Sequence, residues 1–194
     1  MNRAVLVTIF AASVVLGGAA CGGANPTATA ATTAPSSASS AAPSAAPSAG
    51  ASAAPAGAPF VCADSTAAGT QRANVVAVRA DHNVGFDRFV LEFDGPVPGY
   101  SVTRQANANF TQDASGRPVT LEGTAGALVR LEPGSSLASA PMAVTPRLTV
   151  LREGRQIGDF EGVVRWGLGL ATPACMRVQT LSAPSRLVID FQTT

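Results

Sequence analysis

Arg88-Phe89-Val90-Leu91-Glu92-Phe93 alternates large apolar side chains with charged or smaller ones, and Arg186-Leu187-Val188-Ile189-Asp190-Phe191 does the same near the end of the chain. A period of two belongs to an extended strand that buries one face. Phe89, Leu91 and Phe93 are therefore predicted to point into a core with Leu187, Ile189 and Phe191, leaving Arg88, Val90, Glu92, Arg186, Val188 and Asp190 facing outward. Extended backwards, Val78–Phe93 aligns without a gap with Met176–Phe191 at an offset of 98 residues, with identities at Arg79/Arg177, Arg88/Arg186, Val90/Val188 and Phe93/Phe191. Two β-hairpins that are pseudo-symmetry mates are expected from it.

Further β-branched or aromatic runs are Val75–Ala80, Tyr100–Gln105, Val119–Glu122, Ala127–Leu131, Arg147–Arg152, Phe160–Leu168 and Met176–Leu181. Between them stand Asp94–Gly99, Glu132–Ser136, Glu153-Gly154-Arg155 and Ala183-Pro184, whose Gly, Pro, Asp and Ser residues favour turns. No helical period is sustained, so the fold class expected is all-β, a β-sandwich of about 8–9 short strands. Alternation through Val164, Trp166 and Leu168 places Trp166 in the core, and Tyr100 falls at a strand start near the rim.

The sandwich occupies residues 59–194, which hold twelve Arg, twelve acids and no Lys. A neutral domain lacks the basic patch that nucleic acid or anionic lipid requires, and no nucleic-acid partner is expected. Residues 1–58 contain one charge, Arg3, and supply the surplus behind the 46% hydrophobic count. Arg3 followed by the uncharged Ala4–Ala20 reads as a secretory signal over residues 1–20, at the short end of what spans a membrane. Gly22–Ala58 is 37 residues of Ala, Ser, Pro, Thr and Gly with a single Asn and no charge. Proline interrupts any alanine helix there, so residues 21–58 are expected to form a disordered tether. As a coil it reaches roughly 33 Å and fully extended about 115 Å; an O-glycosylated stalk fits the same composition.

Leu16-Gly-Gly-Ala-Ala-Cys21 resembles the lipobox of bacterial lipoproteins, with Gly18 standing where that pattern favours Leu. The resemblance implies a diacylglyceryl thioether on Cys21 and a chain exported and lipid-anchored to the outer face of the cell membrane; simple secretion would leave a free thiol or remove it. Three cysteines fit this division, since Cys62 and Cys175 make a plausible disulfide in an exported domain and Cys21 is left for the lipid. The bridge closes a loop of more than 100 residues and restricts the unfolded chain by about 4–5 kcal/mol in the loop-entropy description.

Val78-Arg-Ala-Asp-His82-Asn-Val-Gly85-Phe86-Asp87-Arg88, the strand to Phe93, the turn Gly95-Pro-Val-Pro-Gly99-Tyr100 and the closing Arg186–Phe191 together resemble the AMIN-like domain of bacterial envelope lipoproteins, over about residues 73–192. That resemblance implies a non-catalytic β-sandwich that binds peptidoglycan or an envelope protein, with no amidase domain following, as the chain ends at Thr194. A direct search for chemistry points the same way. The only His is His82, short of a zinc set, so no metal and no cofactor is expected. There is no Gly-x-Ser-x-Gly elbow, and Gly167-Leu-Gly169 lacks the rest of a phosphate loop. Asp81 with Asp87, and Asp159 with Glu161, are carboxylate pairs that keep a small envelope hydrolase as an alternative, beside a small-ligand-binding lipoprotein. The candidate binding surface is Arg88, Glu92, Arg186 and Asp190, with His82 in the turn beside them.

Overall fold

A computed structural model describes residues 58–193. The export signal, Cys21 and the tether up to residue 57 lie outside the described residues. Thirteen strands follow in order: β1 Ser65–Ala67, β2 Ala73–Asn83, β3 Phe86–Phe93, β4 Gly99–Gln105, β5 Asn109–Thr111, β6 Pro118–Thr120, β7 Ala125–Glu132, β8 Gly134–Ser136, β9 Ala143–Val144, β10 Leu151–Phe160, β11 Val163–Leu170, β12 Met176–Ser182 and β13 Ser185–Gln192. The count exceeds the expected 8–9 because two- and three-residue strands carry too little sequence to show a period. A five-stranded sheet runs β12-β13-β3-β2-β8 and a six-stranded sheet runs β1-β4-β7-β11-β10-β9. All pairs are antiparallel except β2 with β8. The sheets pack face to face as a sandwich.

The inward assignments hold. Phe89, Leu91, Leu187, Ile189 and Phe191 meet Val129, Leu131, Trp166 and Leu168 of the facing sheet, all buried. Trp166 lies at the centre, its ring 5.8 Å from that of Phe89. Tyr100 pairs with buried Leu131 and is half-buried at the core edge.

Two expected boundaries fail. Only Leu151 and Arg152 of Arg147–Arg152 are strand, as the start of β10: Arg147 N–H bonds the Arg152 carbonyl and Leu148 N–H the Leu151 carbonyl, so the chain makes a tight turn leading into β10. Glu153-Gly154-Arg155, read as a break, lies inside β10, and the hairpin to β11 turns instead at Glu161-Gly162, both at positive φ (51° and 80°). Two successive positive φ values are what a two-residue hairpin loop demands, so Phe160 ends β10 rather than opening β11.

The excursion between β4 and β7 forms a separate two-stranded sheet, β5 with β6. It lies on the outer face of the six-stranded sheet and buries Phe110 and Leu121 against Ile157, with Ala108, Val119 and Leu128 around them. Glycines make room for it. A Cβ on Gly167 would stand 2.9 Å from the Phe110 ring, and one on Gly169 only 2.3 Å from the Glu122 carbonyl oxygen. Gly167-Leu-Gly169 is thus a packing floor.

Candidate functional site

The outer face of the five-stranded sheet carries the outward charges of the two repeated segments. Across β12, β13, β3 and β2 the cross-strand neighbours form three rows: Arg177, Asp190, Arg88, Asp81; then Gln179, Val188, Val90, Arg79; then Leu181, Arg186, Glu92, Ala77. Val90 and Val188 oppose each other, Arg88 opposes Asp190, and Glu92 opposes Arg186. These are the alignment's equivalent residues, so a local two-fold axis passes between the two valines. The equivalence extends to ion pairs, since Arg79–Glu92 at 3.3 Å and Arg177–Asp190 at 2.7 Å join corresponding positions.

The halves nevertheless differ. Asp190 is fully buried. Its Oδ1 accepts from Arg88 Nε (2.7 Å), and its Oδ2 accepts from Arg88 Nη2 (3.0 Å), Arg177 Nη2 (2.7 Å), Arg177 Nε (3.1 Å) and Gln179 Nε2 (3.3 Å). The guanidinium of Arg177 lies 4.6 Å from the Phe60 ring and 5.1 Å from the Phe86 ring, two rings whose centres are 6.1 Å apart, and Arg88 lies 5.1 Å from Phe86. This half is sealed by its own side chains, so the expectation that Arg88 and Asp190 are solvent-facing is corrected: they point outward but Phe60, Phe86 and Arg177 cover them. In the other half, Arg186 bonds only the Pro184 carbonyl of its own hairpin and pairs with no carboxylate among the described residues. Glu92 Oε2 is hidden from solvent and has no hydrogen bond, only the ion pair to Arg79, whose side chain is 58% exposed. An acceptor with spare capacity beside two accessible guanidiniums is equipped to hold a ligand bearing both carboxylate and donor groups.

His82 does not join this face. It lies in β2, not in the turn, and its inward orientation at the rim brings Nδ1 within 2.6 Å of Asp87 Oδ1. Asp87 is fully buried, and its Oδ2 accepts the backbone N–H of Val150 (2.5 Å) and Leu151 (2.9 Å) from the opposite sheet. It ties the sheets together where the core ends. One signal in the sequence marked it: a carboxylate continues the inward series of Phe89, Leu91 and Phe93.

Asp81 and Asp87 occupy opposite faces of the sheet and do not converge, since Asp81 opposes Arg88 while Asp87 opposes His82. Asp159 accepts from Ser135 Oγ and from Ser136 N–H at 2.8 Å, and Glu161 stands exposed in the hairpin turn. No three His, Cys, Asp or Glu side chains gather into a metal-binding group among the described residues. Cys62 and Cys175 form a disulfide across 113 positions, joining the leads into β1 and β12.

The family model of the AMIN-like domain matches residues 73–193, from the first residue of β2 to just past β13. The chain belongs to the AMIN-like family. AMIN-like domains are binding modules associated with peptidoglycan in the cell envelope. No curated protein matches the chain. The matched residues enclose both hairpins of the two-fold face, while Phe60 and Cys62, which close one end of it, precede the match.

Proposed function

We propose that this chain is a non-catalytic lipoprotein, exported and held through acylated Cys21 at the outer face of the cell membrane, whose AMIN-like sandwich binds peptidoglycan or an envelope protein. The contact surface is the open half of the two-fold face: Arg79, Glu92 and Arg186, braced by the sealed Arg88–Asp190–Arg177 half. The observation that supports this most is the difference between equivalent halves, one self-satisfied and buried, the other leaving Arg186 without a carboxylate and Glu92 under-bonded. Peptide stems of the wall carry carboxylates and amines, which such a pair receives in complementary fashion.

Retention of the full chain on purified peptidoglycan tests the reading. The wild type is expected to co-sediment and the Arg79→Ala/Arg186→Ala double variant to lose most of that retention. Equal retention of the two proteins would remove the face assignment. Absence of wild-type binding above a Cys62→Ala/Cys175→Ala control would discard the wall and leave the envelope protein. Mass spectrometry of the mature protein decides the anchor, because an acylated Cys21 N-terminus adds a large mass.

A further inference from the structure

Sheet edges expose backbone donors and acceptors to any other extended chain, and proteins commonly blunt them. Three of the four edges in this sandwich end in very short strands, β8 and β1 with three residues each and β9 with two, and of these β8 covers only Ala73–Val75 of the bulged strand β2. The fourth, β12, has seven residues, pairs with β13 without a bulge, and contains neither Pro nor Lys. Its free side already accepts a strand at one end. Val61 N–H bonds the Met176 carbonyl and Met176 N–H bonds the Val61 carbonyl, both at 2.9 Å, whereas the Cys175 carbonyl turns to Gln192 on β13. Backbone groups alternate sides along a strand, so those of Val178, Thr180 and Ser182 follow Met176 to the open side. They have no backbone partner there among the described residues.

The chain's own tether is poorly suited to cover them. Continued in the register of Val61 with Met176, it would set Pro59 opposite Val178 and Pro55 opposite Ser182. Proline has no N–H to give at either position. Ala58 instead turns onto the outer face, where its carbonyl accepts from Arg177 at 3.3 Å.

At the Thr180–Ser182 end of the open edge, beside the hairpin to β13, lies a groove of about 800 Å³. Thr180, Leu181 and Ser182 form one wall, and Ala67, Pro96, Val97 and Tyr100 are on the other side. No charged side chain lines it. A trough with two walls admits a single strand more readily than the edge of a second sandwich, and its neutral lining suits small uncharged side chains.

We infer that the β12 edge is a docking site for an extended, neutral peptide segment of a partner protein, which adds to the five-stranded sheet antiparallel to β12 in continuation of Val61. This site adjoins the Arg79–Glu92–Arg186 face at Leu181, the cross-strand neighbour of Arg186, but is formed by the backbone of the sheet edge and does not depend on that face.

Amide hydrogen exchange on the full chain tests the inference, with a panel of blocked seven-residue peptides alternating Thr or Ser with Val or Ala as the probe. The expected result is at least tenfold slower exchange at Val178, Thr180 and Ser182 with at least one such peptide, little change at Arg177, Gln179 and Leu181, and no effect of the same peptide N-methylated at alternate positions. Thr180→Pro, tolerable at an edge whose N–H faces outward, is expected to abolish the protection while peptidoglycan retention persists. If that variant misfolds, the N-methylated probe on the wild type carries the test alone. Protection without alternation, protection that survives N-methylation, or none with any peptide would overturn the inference. So would alternating protection that appears without peptide and rises with protein concentration as the mass doubles, which would mean a second copy, or alternating protection already complete at high dilution, which would mean the tether.

Discussion

The outer face of the five-stranded sheet presents Arg177, Asp190, Arg88, Arg79, Glu92 and Arg186, whereas that of the six-stranded sheet is floored by Gly167 and Gly169 and roofed by β5 and β6. One sheet met the problem of a second exposed face with long side chains folded over their own strands; the other hid it under a hairpin. The first solution leaves half of its polar groups free for a partner, and the second leaves none of its glycine floor accessible. Which face stays accessible is thereby decided by what covers it, more than by which sheet is longer.

Removing the charge that organises the sealed half gives the largest effect. Asp190→Ala leaves Arg88 and Arg177 without their shared carboxylate, and a loss of about 3–5 kcal/mol is expected in chemical denaturation. A loss below about 1 kcal/mol would show that this face is as loosely held as ordinary surface ion pairs. Next comes the covered face. Gly169→Ala sets a methyl group against the Glu122 carbonyl oxygen, so a cost of about 1–3 kcal/mol is expected. Hydrogen exchange should quicken chiefly over residues 107–122; a uniform change over the domain would deny that the hairpin is a separate lid. The Arg79→Ala/Arg186→Ala variant that tests wall binding is expected to stay within about 0.5 kcal/mol of wild type, because neither arginine is enclosed. A large destabilisation would merge the two halves that the structure separates.

The smallest effect concerns Asp94, just past β3. Hydrogen bonds from the Asn74 backbone N–H and from Asn74 Nδ2 hold its carboxyl below the ordinary 3.8. A depressed folded value means that the unfolded chain takes up the proton first. The contribution is therefore full at neutral pH, declines as pH falls past the unfolded value and is gone below the folded one. Asp94→Asn is expected to flatten the stability profile slightly below about pH 4; an unchanged acid limb would place the acid sensitivity elsewhere.

Much of this was readable in the residues. Alternation in Phe89–Phe93 and Leu187–Phe191 gave the core strands and their inward faces, and the gapless repeat gave two pseudo-symmetric hairpins, while the pairing of β13 with β3 that opposes Arg88 to Asp190 came from the fold. Burial of that pair was not readable, because it depends on Phe60, which arrives from outside the repeat, and on Phe86, whose counterpart in the second copy is Pro184. Thr149 and Val150 are β-branched and favour a strand over Arg147–Arg152, while what bends the chain there is a pair of backbone hydrogen bonds, reinforced by the distant Asp87 carboxylate. His82 was assigned to a turn because Gly85 lies three residues ahead, yet β2 continues to Asn83.

By itself the sequence determined an all-β domain after an Ala- and Pro-rich segment, the two cysteines available to staple it and its balanced charge. Each of these follows from local pattern or composition, which require no knowledge of what lies across the sheet. Only the tertiary structure decided which charged residues are sealed and which are free, that Gly167 and Gly169 support a hairpin, and that the β12 edge is left open beyond Met176. Those properties belong to pairs of segments far apart in the chain, and a residue's burial is set by the neighbours that folding brings to it.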